Sequence, residues 1–266
     1  MRIVDAHCHA SPHWFEPVES LLAAMERSGV EQAVLVQDSS ERDSTYLFDC
    51  ARDHPGRFAV VVTVDASAPD PCSEMERLAR RGASGVRFRA TARAAGPDPL
   101  ALWRCAARLG LAVSCGGKPE AFASGEFAEI IEAVRDVPLV IEHLGAGNQP
   151  AEADADLAAR QRVCDLARYP NVHIKIHGLG EFCRRATHVD DPSFPFARPI
   201  PPFLDMAYRA FGADRMMWGS DFPPVSAREG YANALRLPLR ELAPLTTSEQ
   251  DSIFGAAAAR VFPVRS

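Results

Sequence analysis

Short apolar runs rich in valine and isoleucine recur along the chain, each followed by a longer segment of helical character. The runs are Ile3 to His9, Gln32 to Gln37, Phe58 to Asp65, Gly85 to Ala90, Leu111 to Cys115, Leu139 to His143, Val172 to His177 and Met216 to Asp221. Helix-like stretches between them include Val18 to Arg27, Leu100 to Leu109, Glu126 to Arg135 and Ala155 to Tyr169. Strands that alternate with helices predict βαβ units and a parallel sheet. Eight such repeats are what a closed barrel needs, so the pattern predicts an α/β chain forming one (β/α)8 TIM-like barrel domain over residues 1–266. A doubly wound open sheet is the competing architecture, but no glycine-rich phosphate loop follows the first strand. The proline-rich stretch from Cys183 to Pro202 is expected to form an active-site wall or lid. Ser248 to Val261 reads as a closing helix on the outside of the barrel.

Composition narrows the class. The 266 residues are 47% hydrophobic, enough for a large core, and the formal net charge is −6 with basic residues scattered. That leaves no electrostatic footprint for nucleic acid. No apolar stretch is long enough to span a bilayer, and Met1 to His7 lacks the features of a signal peptide. Seven cysteines with no CxxC pair read as reduced thiols rather than a disulfide framework. The expectation is a cytoplasmic protein acting on a small molecule, with no membrane or nucleic-acid partner.

Catalytic groups of a parallel barrel stand at the C-terminal ends of its strands. The first strand ends His7-Cys8-His9, and residues two apart face the same way, so both imidazoles aim into the barrel and Cys8 aims outward. The sixth ends at His143, the seventh at Lys175-Ile176-His177, and the eighth at Asp221 before Phe222-Pro223. In the fourth, Arg87 and Arg89 face inward if Val86 and Phe88 pack against helices. Taken singly, each has a bland explanation, such as a strand cap, a core histidine or a turn aspartate. Their convergence on one rim favours a site.

Imidazoles and a carboxylate around a cavity suit attack of water on a carbonyl. Asp221 is the natural general base. His7, His9 and His143 would stabilise the developing oxyanion, either as donors or by holding a divalent ion. Arg87, Arg89, Lys175 and His177 would contact an anionic substrate, since arginine grips carboxylates bidentately. With Asp221 as the only carboxylate expected at the neighbouring strand ends, the cations would need an external anion. The competing expectation pairs one arginine with Asp5, taken to share the inward face of strand one.

At these positions the sequence resembles the amidohydrolase-related proteins, the branch of the amidohydrolase superfamily that includes small lactonases and some decarboxylases. The resemblance covers nearly the whole chain. It rests on Asp5-Ala6-His7-Cys8-His9, Gly29-Val30, Ala33 to Gln37, His54-Pro55-Gly56-Arg57-Phe58, Gly85-Val86-Arg87, Ile141-Glu142-His143-Leu144-Gly145, Trp218 to Pro223 and Ala259-Arg260-Val261-Phe262. Within the branch it is most similar to the pyrone dicarboxylate lactonase and sugar-acid lactonase group. The resemblance implies a distorted barrel, an aspartate that activates water, and an activity that in several members needs no metal. Metal-dependent members usually add a histidine at the end of strand five, where this chain has Ser114-Cys115-Gly116-Gly117. A divalent ion such as zinc, if bound, would therefore rest on His7, His9 and Asp221, with Cys115 as a candidate substitute ligand. The leading function is hydrolysis of a lactone or similar cyclic ester of an acidic compound. The alternative is a metal-dependent decarboxylase on the same scaffold, and a non-catalytic binding protein is the outlying one.

Overall fold

The computed structural model describes residues 1–146, 154–191 and 193–265, with the backbone alone at 154–156. Eight strands form one parallel sheet in chain order: β1 (Ile3–Cys8), β2 (Val30–Val36), β3 (Phe58–Thr63), β4 (Gly85–Arg89), β5 (Ala112–Gly116), β6 (Leu139–Ile141), β7 (Val172–Ile176) and β8 (Met216–Trp218). A parallel bridge between Cys8 and Phe222 brings the last strand back to the first, closing the barrel beside His7 and Asp221. All eight apolar runs of the sequence lie on these strands. Beyond the ends of β6 and β8, His143 and Asp221 adopt φ of +52° and +59°, outside the strand region.

The helices match the hydrophobic spacing closely. They include Val18–Ser28, Ala101–Arg108, Gly125–Ala133 and Asp154–Cys164, the last running into a 3-10 turn at Asp165–Arg168. Alternate strand residues sort into two apolar layers, as the pleat requires. Leu35, Val60, Val86, Phe88, Val113, Cys115, Ile174 and Trp218 face the helices. Val4, Ala6, Val34, Val36, Ala59, Val61, Ala112, Val140 and Met217 fill the barrel interior.

Two expectations need correction. The C-terminal segment does not lie along the outside. Helix Thr247–Asp251 passes through a wide π-type turn, Ser252–Ala256, into Ala257–Val261, and Ala257, Ala258, Val261 and Phe262 join the interior layer as a plug at the bottom. Gly255 permits this, because a Cβ there would fall 1.9 Å from the Arg2 carbonyl oxygen. The second concerns Asp5. The β1–β2 register slips between Asp5 and Cys8, which pair with Ala33 and Leu35, so three steps along β1 match two along β2. Asp5 therefore lies on the outer face with Ala33. Its carboxylate accepts from Tyr231 Oη (2.9 Å) and from the Ser220 backbone N–H (2.8 Å), and it pairs with neither arginine.

The segment from Cys183 to Pro202 is irregular, with an antiparallel bridge between Arg185 and Phe196, and Pro192 lies outside the described residues. It packs against helix Tyr231–Glu241, where Arg236 donates to the Ser193 carbonyl (3.0 Å) and Arg240 to its hydroxyl (3.1 Å). Among the described residues no helix is long and apolar enough to cross a membrane.

Candidate active site

The barrel closes where its chemistry is concentrated. Asp221 donates its backbone N–H to the His7 carbonyl (2.8 Å), and His9 donates its own to the Phe222 carbonyl (2.7 Å). Gly219 makes the approach possible, since a Cβ there would sit 2.7 Å from the His7 Cβ. His9 Nδ1 donates to the Val36 carbonyl (2.6 Å), which leaves Nε2 as a lone pair 3.9 Å from Asp221 Oδ1. Burial, then the nearby Arg87, lowers the His9 pKa to about 4, so the ring is neutral. Burial also lifts the Asp221 carboxyl to about 6, against the pull of His143 and Arg228, whose Nη1 lies 3.2 Å away.

A second group of side chains comes from β6 and β7. His143 Nδ1 bonds Glu181 Oε1 at 2.6 Å. Burial opposes charge on this ring, yet the Glu181 carboxylate outweighs it and raises the pKa to about 9. Glu181 answers in kind: burial pushes it up, but His143 and His177 hold it at about 2. His177 stacks on His143 with ring centroids 4.2 Å apart, and burial drives it to about 3, so a neutral ring lies against a charged one. Neither His177 nitrogen has a hydrogen-bond partner among the described residues. The turn carrying His143 is strained, with Leu144 also at φ +52°, a conformation costing on the order of 1–3 kcal/mol per residue. Arg160 clamps it from outside through the Leu144 carbonyl (3.1 Å).

The cations sort differently from the sequence expectation. Val86 and Phe88 do face the helices, and Arg87 turns inward, where its Nε and Nη2 grip Glu142 at 3.0 and 2.9 Å. Glu142 is buried and also accepts from the Ser114 hydroxyl (2.7 Å). Burial would raise its pKa, but Arg87 and Lys175 hold it well below the usual carboxylate range. The expectation that Asp221 is the lone carboxylate here is thus overturned by Glu142, which offsets Arg87 without any external anion. Lys175 has no exposed surface and donates to Ser114 Oγ (2.9 Å) and to His7 Nδ1 (3.1 Å). Burial lowers its pKa to about 8. Arg89 is exposed and has no side-chain partner among the described residues. It lines, with Arg87, Thr63 and Ser67, a cavity of about 560 Å³ that also carries Glu41, Arg42, Asp65 and Glu74 and meets the cluster through Arg87 rather than through a histidine.

The donor atoms of His7, His9 and Asp221 lie within 4.8 Å of one another, as do those of His7, His143 and His177. The His/Asp cluster can therefore hold a divalent ion. His9 fits this use best, since its Nδ1 is tied to a carbonyl and its Nε2 is a free lone pair, the usual support of a ligating imidazole. Such an ion would polarise a carbonyl and acidify water. Cys115 is not available to it. Its side chain faces the helices, with Sγ 3.6 Å from the Val113 carbonyl, and the inward residue of that strand end is Ser114.

The structure places His7, His9, His143, His177 and Asp221 in one cluster, puts Arg87 and Lys175 at its edge and floor, and sets Arg89 out in the cavity. Glu142, Glu181, Arg228 and Ser114 were not anticipated. Glu142 had a local signal, a carboxylate at a strand end immediately before His143. Glu181 and Arg228 had none, because loop geometry alone brings them in.

The sequence profile of the family described as Amidohydrolase matches residues 4–264. The chain belongs to the amidohydrolase family. Among its relatives, an L-fucono-1,5-lactonase from Burkholderia ambifaria is 31% identical over 224 residues, covering 81% of this chain and 71% of that one. A 4-sulfomuconolactone hydrolase from Rhizobium radiobacter is 25% identical over 228 residues, covering 84% and 70%. An amidohydrolase from Burkholderia multivorans, solved with bound zinc, superposes with TM-score 0.78 at 23% identity, covering 98% and 99%. A protein described as a 2-pyrone-4,6-dicarboxylic acid hydrolase from Pseudomonas putida gives TM-score 0.75 at 18% identity, covering 100% and 98%. At those identities the two structures establish the shared barrel.

Proposed function

We propose that this enzyme is a hydrolase that opens a lactone or similar cyclic ester of an acidic small molecule with water activated by Asp221. The observation that carries the reading is the opposed pair at the rim. Burial makes Asp221 a moderately strong base, while Glu181 keeps His143, within 4.8 Å of Asp221, as a proton-bearing cation. The 3.9 Å between His9 Nε2 and Asp221 Oδ1 is too long for a direct hydrogen bond and suits a water donating to both. Asp221 takes a proton as that water adds to the lactone carbonyl. His143 donates to the oxygen as negative charge develops there. When the ring C–O bond breaks, Asp221 returns its proton to the departing alkoxide, leaving a hydroxy acid. The relatives named as lactonases support this chemistry.

A pH-stat panel of lactones tests the reading. The expected outcome is stoichiometric acid release from at least one member, and carbon dioxide release from carboxylated aromatic acids with no lactone turnover would favour the decarboxylase instead. The pH profile carries a sharper expectation. Asp221 must be ionised, so activity falls as pH drops through about 6. His143 must be protonated, so it also falls as pH rises through about 9. A bell with limbs near those values is expected, and Glu181→Gln should pull the alkaline limb down by removing the charge that sustains His143.

For the acidic part of the substrate, Arg89 is the contact we assign, because Arg87 is already engaged by Glu142. Arg89→Met is expected to lower kcat/KM about 10- to 100-fold on a carboxylated lactone and far less on its methyl ester, the scale of a charge-assisted hydrogen bond. Equal losses on both would remove Arg89 from substrate recognition.

A further inference from the structure

We infer that Lys175 fixes His7 in the tautomer with its proton on Nε2, making the ring a hydrogen-bond donor toward the substrate oxygen and a poor ligand for a divalent ion. The direction of every hydrogen bond beneath His7 follows from one residue. Glu142, gripped by Arg87, accepts only, so the Ser114 hydroxyl spends its proton on Glu142 Oε1 (2.7 Å). The Ser114 oxygen is then an acceptor for Lys175 Nζ (2.9 Å). An ammonium has three donors and no acceptor, so at 3.1 Å it calls for a lone pair on His7 Nδ1. A neutral imidazole with Nδ1 unprotonated carries its hydrogen on Nε2.

The geometry below Lys175 keeps it there. Its Nζ lies over the Phe262 ring, 5.2 Å from the centroid, on the apolar plug at the barrel's bottom. Its donors are directed at Ser114 and His7 and it rests on the plug, so it serves His7 rather than the substrate. His7 Nε2 is itself buried and has no partner among the described residues. A buried N–H without an acceptor is costly, and a substrate oxygen arriving at the cluster would satisfy it.

The polarity is the reverse of that in a ligating histidine, whose second nitrogen ordinarily donates to a carboxylate or carbonyl. His9 follows the ordinary arrangement through the Val36 carbonyl. His7 does not: an ion on its Nε2 must displace a proton that Nδ1 cannot take while Lys175 donates to it. Lys175 is thus a positioning residue that weakens metal binding at His7, His9 and Asp221 and favours direct hydrogen bonding to the carbonyl. The inference deepens the lactonase reading and rests on it only for the identity of the oxygen.

The test reads the ring without substrate, so it stands apart from whether any lactone is turned over. In metal-free wild-type protein labelled with 15N-histidine, His7 is assigned by the signal lost in His7→Gln. A pyrrole-type Nε2 with a pyridine-type Nδ1 is expected, and the reverse pattern overturns the inference. Cobalt(II) titration followed by its visible absorption adds a second readout. Lys175→Met is expected to bind cobalt about 10- to 100-fold more tightly than wild type, the range over which outer partners tune metal sites. Equal or weaker binding in a folded Lys175→Met protein overturns it, and if that variant does not fold the wild-type tautomer decides alone.

Discussion

Asp221→Asn is expected to cut kcat by about 10²–10⁴-fold while the protein unfolds at nearly the wild-type midpoint, the usual scale for loss of a general base. An amide cannot take a proton from water, but it keeps the size of the carboxyl and its acceptor toward Arg228, whose Nη1 lies 3.2 Å from Oδ2. The substitution also removes the group whose burial sets the acid limb of the pH profile, so whatever activity survives should no longer fall through about 6. KM is expected to move little, since the aspartate acts on water rather than on the substrate's anchoring groups. A folded variant with near wild-type kcat would take the base role from Asp221.

Glu142→Gln is expected to cost about 3–5 kcal/mol of stability, measured by denaturant unfolding, the scale for breaking a buried ion pair from one side. The reason lies in how much charge Glu142 offsets. It grips Arg87 through two hydrogen bonds and accepts from Ser114, which in turn accepts from the fully buried Lys175. With a glutamine there, both cations stay buried without their counter-charge. Replacing Arg87 and Glu142 together with methionine is expected to recover part of the loss, because two apolar side chains leave no unpaired charge. A loss below about 1 kcal/mol for Glu142→Gln would show that water, not this carboxylate, carries the balance. The same comparison separates Arg87 from Arg89: the first should show in stability, the second in substrate selectivity.

The strand count, the order of strands and helices, and the rim positions of His7, His9, His143, His177 and Asp221 were legible in the sequence. Each follows from local rules: apolar runs of strand length, helical spacing between them, and side-chain parity along a strand. Parity also identified Arg87 as inward, because Val86 and Phe88 had to meet the helices. It failed at Asp5, where the slip in the β1–β2 register turned a residue two places before His7 to the opposite face. A bulge is decided by pairing with a neighbouring strand, which no alternation of residues on β1 alone records. The pairings within the site were beyond reach for the same kind of reason. Glu142 meets Arg87 across 55 positions, and Glu181 meets His143 across 38. Those distances are fixed by closure of the barrel and by the loop after β7. Residue types near strand ends were enough to predict that a His/Asp cluster would gather there; which ring carries a charge, which donates and which accepts depends on burial and opposing charge that exist only once the chain has folded.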